Sequence, residues 1–209
     1  MRIVVAILNW NGLDHVQTYL PSVVEHSSGD NVEILVIDNG STDESCDWIS
    51  SNYSNVKIVK LDRNFGFSGG YNRGLKGIEA DRFVLLNSDV KVSSGWIDNV
   101  NATMDNLGLS ACSPRILDAS SPMLFEYAGA AGGFIDKDGF MFCAGRIFDS
   151  FENEDGNYLD DKEVFWASGT AFLTRTTIFQ EIGGFDEVLF AHMEEIDYHW
   201  KCQSIGYEV

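Results

Sequence analysis

Residues 85–90 read Leu-Leu-Asn-Ser-Asp-Val, and with Arg82-Phe83-Val84 before them they make an apolar run that stops on an amide, a hydroxyl and a carboxylate. A short continuous apolar run bounded by polar residues reads as a strand buried on both faces, as in the middle of a parallel sheet. Ending that strand at Asn87, Ser88 and Asp89 delivers three oxygen-bearing side chains to the carboxyl edge of the sheet. In open α/β domains, ligands bind at that edge.

The same pattern recurs upstream. "RIVVAILN" reads as a first strand ending at Asn9-Trp10-Asn11, and "VEILVIDN" as a second ending at Asp38-Asn39. "VKIVKL" reads as a third. Between them, "LDHVQTYLPSVVEHS" carries apolar residues at helical spacing, with Pro21 marking a kink or a helix start. In "STDESCDWISSNY", Ser41 with Glu44 three residues on predicts a capping box. A glycine-rich stretch and a helix around "GGYNRGLKGIE" precede the strand that ends at Asn87. This β-α-β-α-β order predicts a parallel sheet with helices on both faces. The parallel strands then share one carboxyl edge, so Asp38, Asp89 and several amides converge from distant sequence.

Beyond Val90, "SSGWIDNVNATMDN" predicts a helix and "LSACSPRIL" a strand. Residues 117–162 show no clear period and read as a functional loop region or an insertion with small hairpins. Within them, "DSFENEDGNYLDD" reads as a solvated acidic loop. "VFWASGTAFLTRTTIFQEIGGFD" predicts a strand, a short helix and a Gly-Gly turn, and "EEIDYHWKCQSIG" a helix whose Asp197 and Lys201 are spaced as an i,i+4 ion pair. The closing Tyr207-Glu208-Val209 reads as the opening of a further strand, so the chain is expected to continue past it.

Composition narrows the function. With 209 residues, 44% hydrophobic and 22% charged, one substantial core in a single domain is expected. Fourteen basic against thirty-two acidic residues give a formal charge of −18, which opposes nucleic-acid binding through a general field. An anionic small ligand would need a local cation. No stretch is long and apolar enough to span a bilayer, and "MRIVVAILNWNG" lacks a signal-peptide layout, so a cytoplasmic chain is expected. Cys46, Cys112, Cys143 and Cys202 form no Cys-x-x-Cys pair and read as packed, reduced thiols.

The convergent edge suits a nucleoside diphosphate. A carboxylate such as Asp38 can accept from a ring N–H or a ribose hydroxyl. Asp89 suits a hard cation, because Mg²⁺ or Mn²⁺ takes one or two carboxylates and completes its shell with phosphate oxygens and water. Taken singly, each residue also has a local reading: Asp38, Asn9, Asn11 and Asp89 are all good turn formers. Neither a P-loop nor a Gly-x-Gly-x-x-Gly after the first strand is present, which counts against a P-loop enzyme and a dinucleotide dehydrogenase.

In order, "ILNWNG", "VIDNGSTD", "NFGFSGGYNRG", "LLNSDV", "ASGTAFLTR", "GGFDE" and "FAHMEEIDYHWK" resemble the family 2 glycosyltransferases of GT-A fold, specifically their rhamnosyltransferase-like branch. The resemblance covers nearly the whole chain. It implies a Rossmann-like, mostly parallel central sheet with helices on both faces, residues 1–116 forming the nucleotide-sugar half and 117–209 the acceptor and catalytic half. It implies a nucleotide-sugar donor, dTDP- or UDP-linked, dTDP-rhamnose among them, and a glycan or lipid-linked acceptor in cell-surface polysaccharide synthesis. A divalent cation, peripheral membrane association of the full-length protein and a place at the inner membrane face complete the expectation.

By that resemblance Asp38 contacts the nucleoside, while Asn87-Ser88-Asp89 stands where the family has Asp-x-Asp and holds metal and diphosphate through Asp89. Asn9, Asn11, Asn64, Gly66, Gly70, Gly169 and Thr170 fall on matched motifs lining the donor site, and the segment with Gly69, Asn72 and Arg73 runs beside the nucleotide. Glu194-Glu195 stands in place of the family's Glu-Asp pair, with Glu195 as general base. Two glutamates opening a helix also favour its dipole, a purely structural reading. A non-catalytic nucleotide-sugar-binding module and a nucleotidyltransferase remain the alternatives.

Overall fold

A computed structural model describes residues 1–27, 29–126, 131–147 and 150–209. Its main sheet is built from β1 (Ile3–Asn9), β2 (Val32–Asp38), β3 (Lys57–Lys60), β4 (Arg82–Asn87), β5 (Ala111–Cys112) and β10 (Ala171–Arg175), in spatial order β3-β2-β1-β4-β10-β5. The first four of these strands run parallel. β10 pairs antiparallel with both β4 and β5, so the sheet is mostly parallel, not wholly so. The stretch 109–117, expected as a full strand, contributes only the two residues of β5.

The helices are α1 (Leu13–His26), α2 (Ser45–Asn52), α3 (Gly66–Gly74), α4 (Trp96–Leu107), α5 (Thr176–Ile182) and α6 (Glu194–Ser204). Strand side chains alternate between faces, and that alternation divides the core in two. On one face Val5, Ile7, Val36, Val84 and Leu86 pack with Val16 and Leu20 of α1, Ile49 of α2 and Met104 of α4. On the other, Val4, Ala6, Leu35, Ile37 and Leu85 pack with Tyr71 of α3, Phe179 of α5 and Tyr198 of α6. The apolar run before Asn87 is therefore continuous because both of its faces are covered, each fully buried Leu or Val contributing about 1.5–3 kcal/mol.

Two local expectations are corrected. The capping box does not form: α2 starts at Ser45 with Glu44 ahead of it and no side-chain cap. The Ser41 hydroxyl instead accepts the Asn11 backbone N–H (2.9 Å) and the Asn9 amide (3.2 Å). Tertiary partners have taken the hydroxyl from the helix. Pro21 neither starts nor ends α1, which runs through it. Pro21 and Gln17, whose carbonyl loses its i+4 partner there, are both exposed, which keeps the lost bond on the solvent side.

A second, antiparallel sheet of β6 (Gly133–Ile135), β7 (Met141–Cys143), β8 (Arg146–Ile147) and β9 (Ser150–Phe151) forms in the aperiodic stretch. Gly133 ties it to the segment entering β10, because a Cβ at that position would lie 2.0 Å from the Trp166 ring. Of the acidic stretch, Asp149 lies outside the described residues; most of the rest is exposed, and Glu154 pairs with Arg115 at 2.7 Å. The four cysteines form no disulfide, three of them are buried, and Lys201 pairs with Asp197 at 2.6 Å. At the chain's end, Glu208 accepts the Ser110 N–H and Val209 the Val164 N–H through their carbonyls.

Close approach of α3 to β2 rests on Gly74, where a Cβ would sit 2.4 Å from Ile37. Gly74→Ala should destabilise the fold by about 1–3 kcal/mol through overpacking. The check is a lower urea midpoint at unchanged slope; an unaltered midpoint would contradict this packing.

Candidate active site

Register places the strand ends side by side. Asn9 of β1 is opposite Asp38 of β2, and Leu8 is opposite Asn87 of β4. Asn9 is fully buried and donates its amide to Ser45 Oγ (2.9 Å) and Ser41 Oγ (3.2 Å). Asn11 adopts φ 48° and accepts the Thr42 N–H through Oδ1 at 2.7 Å. Both asparagines thus hold the 41–45 loop against the end of β1. Asp38 is 4% exposed at the base of that loop and accepts the Ser41 N–H at 3.3 Å. Burial and the Asp38 charge push the neighbouring Cys46 thiol up to about 11.

Asn39, one residue on and equally buried, ties β2 to α3. Its amide nitrogen donates to Asn64 Oδ1 (3.0 Å) and to the Gly66 carbonyl (2.9 Å), and its oxygen accepts the Phe65 N–H (3.0 Å). Asn64 Oδ1 also accepts the Gly66 N–H at 2.8 Å. Gly70 works by lacking a side chain: a Cβ there would meet Leu8 at 2.7 Å and Asn39 at 3.0 Å. Asn72 and Arg73, expected beside the nucleotide, bond residues 185 and 187: Asn72 bonds the backbone of Phe185, and Arg73 pairs with Glu187 at 2.8 Å.

The second half reaches the same edge through β10. The Asn87 N–H donates to the Thr170 carbonyl at 2.9 Å. Next to Thr170, Gly169 lies against Glu195, such that a Cβ at 169 would be 3.3 Å from the Glu195 carboxyl carbon. Glu194 and Glu195 open α6. Glu194 is 5% exposed, and its Oε2 has no hydrogen-bond partner among the described residues. Burial raises the Glu194 carboxyl, and burial together with the adjacent Glu194 charge pushes Glu195 up to about 7. His199, one turn on, directs Nδ1 at the Glu195 carbonyl (2.6 Å) and is driven down to about 4 by burial, so it is neutral near pH 7.

Ser88 is half-buried and Asp89 exposed at the end of β4, and no group of three His, Cys, Asp or Glu side chains able to hold a metal occurs among the described residues. The donor set of one carboxylate, one amide oxygen and one hydroxyl is nonetheless hard and oxygen-only. It fits a Mg²⁺ or Mn²⁺ ion whose remaining ligands are phosphate oxygens and water.

The family model described as "Glycosyl transferase family 2" matches residues 4–183, from β1 through α5. The chain belongs to glycosyl transferase family 2. The transferase is 26% identical over 226 residues to the N-acetylglucosaminyl-diphospho-decaprenol L-rhamnosyltransferase of Mycobacterium tuberculosis (strain CDC 1551 / Oshkosh), covering 92% of this chain and 67% of the relative. That likeness places it with the rhamnosyltransferase-like branch. The hexosyltransferase Agl10 of low-salt glycan biosynthesis in Haloferax volcanii is 23% identical, over 82% of this chain and 53% of its own length. The chain thus spans about two thirds of one relative and about half of the other. Among solved structures, GalNAc-T7 with UDP, GalNAc and Mn²⁺ superposes with a TM-score of 0.74 at 17% identity, over 100% of this chain and 41% of that one. The mannosyltransferase PcManGT from Pyrobaculum calidifontis, in complex with GDP-Man and Mn²⁺, gives 0.69 at 14%, over 99% and 53%. The transferase has the GT-A fold.

Sequence reasoning assigned no role to Asn39, Ser45 or His199. For Asn39 a signal was present, a second amide straight after the strand-ending Asp38. For the others none was, since a serine or histidine inside a helix or loop is common in any role. Removing the Asn39 side chain orphans the part-buried Phe65 N–H and the buried Gly66 carbonyl, a loss of about 1–3 kcal/mol. Asn39→Ala should therefore lower the melting temperature by roughly 2–4 °C per kcal/mol and speed amide exchange at Phe65. Unchanged exchange at Phe65 would show that Asn39 does not hold this turn.

Proposed function

We propose that the protein is an inverting glycosyltransferase of cell-surface polysaccharide synthesis. In this reading it moves a sugar from a dTDP- or UDP-linked donor, dTDP-rhamnose among the candidates, to a hydroxyl of a glycan or lipid-linked acceptor. The observation that carries the reading is the carboxylate pair opening α6, where Glu195 lies against Gly169 and the adjoining Thr170 bonds Asn87 on the strand edge that also bears Asp38. A non-catalytic binding module has no need of two adjacent glutamates there whose carboxyls are both raised by burial. The mycobacterial relative acts, by its name, on a diphospho-polyprenol acceptor, which supports the lipid-linked alternative.

Residues 1–116 take the donor and residues 117–209 the acceptor and base. Asp38 receives a ring N–H or ribose hydroxyl. Asn9 and Asn11 hold the loop beside it, while Asn64, Gly66 and Gly70 shape the floor under the nucleotide. Asn87, Ser88 and Asp89 would hold the divalent cation, which supplies charge neutralisation for the departing diphosphate. Glu195 takes the proton of the acceptor hydroxyl as its oxygen bonds the anomeric carbon and the bond to diphosphate breaks, with inversion. Glu194 positions the acceptor or the loop, and Gly169 leaves room for the Glu195 side chain. No described helix is long and apolar enough to cross a membrane. A peripheral position on the cytoplasmic face suits an acceptor anchored in lipid.

Glu195→Gln should lower kcat by ~10²–10⁴-fold with donor affinity nearly unchanged. Wild-type turnover in both Glu195→Gln and Glu194→Gln would sink the mechanism. Asp89→Ala should abolish the gain in UDP or dTDP affinity produced by Mn²⁺ in titration calorimetry while leaving residual nucleoside binding. An unaltered gain would remove Asp89 from the metal site.

The pH dependence has a defined sign. A base titrating at about 7 works only when deprotonated, so kcat/KM should rise through pH 7 and level off above it. The same raised carboxyl favours the folded state when protonated, a contribution fully present below about 4.5 and lost as pH rises through about 7. A profile whose limb lies near 4.5 would show that Glu195 is solvated and not the buried base.

A further inference from the structure

We infer that Asn72 and Arg73 of α3 are positioning residues that hold the Glu194–Glu195 pair through the strap of residues 184–193. The inference rests on the reading of Glu195 as the base. Its motive is backbone strain immediately ahead of that pair. Phe190 has φ 55° and ψ −61°, with the Ala191 N–H turned back onto the Leu189 carbonyl at 2.6 Å. His192 and Met193 follow at φ 74° and 73°. Three bulky residues at positive φ within four positions cost about 1–3 kcal/mol each and persist only where the surroundings force them.

Helix α3 supplies the force at two points. The Phe190 carbonyl accepts the Phe67 N–H (2.6 Å) and the Ser68 N–H (3.2 Å) in the first turn of α3. Gly66 makes room for it, since a Cβ there would lie 2.5 Å from that oxygen. One turn further along α3, Asn72 grips Phe185 from both sides, accepting its N–H and donating to its carbonyl, each at 2.9 Å. Arg73 pairs with Glu187 at 2.8 Å, and its guanidinium lies 4.1 Å from the Phe65 ring. The Arg73 bond leads the causes that hold the Glu187 carboxyl below its usual range.

The strap is therefore pinned behind and in the middle, and its strained end delivers Glu194 and Glu195. The Arg73–Glu187 pair is 38% and 45% exposed, a setting in which an ion pair adds only ~0–1 kcal/mol to stability. Its value here is geometric. Because Asn39 fixes the start of the same helix to the end of β2, α3 links the nucleoside edge to the base.

The test uses Asn72→Ala and, as the variant with the more exposed side chain, Arg73→Ala. Rescue comes from Arg73→Lys and from the charge swap Arg73→Glu with Glu187→Arg. Amide exchange is followed at Phe67, which reports the Phe190 contact, at Asp197, which closes the first turn of α6, and at Val5 in the central strand. Exchange at Phe67 and Asp197 should quicken at least tenfold in both alanine variants, stay unchanged at Val5, and return toward wild type in the rescued proteins. With dTDP-rhamnose and an N-acetylglucosaminyl-diphospho-polyprenol, kcat should fall about ten- to a hundredfold, the scale of a small misplacement of a reacting group. The Kd for dTDP with Mn²⁺ should stay within twofold. Unchanged exchange at Phe67 and Asp197 in both alanine variants would overturn the inference, as would quickening at Val5 to the same extent or a Kd that weakens in step with kcat. Local quickening with rescue, beside a Glu195→Gln protein of wild-type turnover, would uphold the strap's role in placing the pair and remove Glu195 as base.

Discussion

The site depends on one constraint, the pairing of β1 in parallel register with β2 on one side and β4 on the other. Because Asn9 faces Asp38 and Leu8 faces Asn87, the polar residues that end three strands form one row. A slip of one residue would turn each side chain to the opposite face and bury polar groups in an apolar core. The two core clusters make that slip prohibitively unfavourable, because both faces of the central strands are packed. The rigidity of the row is a by-product of burial.

Much of what is added to the row is attached by asparagine side chains. Asn9 reaches the Ser41 and Ser45 hydroxyls, while Asn39 and Asn72 bond the backbone of segments distant in sequence, a task an amide suits because it both donates and accepts. The cost of breaking such ties is high when the backbone groups they satisfy are buried. The amides thus act first as architecture, and the carboxylates Asp38, Asp89, Glu194 and Glu195 carry the charge-dependent chemistry. The wholly buried His199 belongs with the first group, since burial keeps it neutral and directs its Nδ1 to the helix backbone.

Glutamate burial is where stability and function oppose each other. Glu194, with one oxygen unpartnered among the described residues, is costly to ionise although His192 opposes that cost, and burial together with the Glu194 charge makes Glu195 costly as well. The strain at Phe190, His192 and Met193 adds to that cost. Costs of this kind gather where a protein needs a group held in a fixed place with an altered proton affinity.

The amino-acid sequence by itself determined the strand that stops at Asn87-Ser88-Asp89, the alternation of strands and helices, and the shared carboxyl edge. These follow from local periodicity and from the rule that parallel strands end together. It also marked Glu194-Glu195 as a helix opening, though only a family resemblance attached chemistry to it. Tertiary structure alone decided that Ser41 serves Asn9 and Asn11 instead of capping α2, that β10 enters antiparallel, and that Asn72 and Arg73 face Phe185 and Glu187. The physical reason is range. Propensity and periodicity act over a few residues, whereas a hydroxyl, an amide or a carboxylate takes whichever partner packing brings to it, and here those partners lie about thirty to over a hundred residues away in the chain.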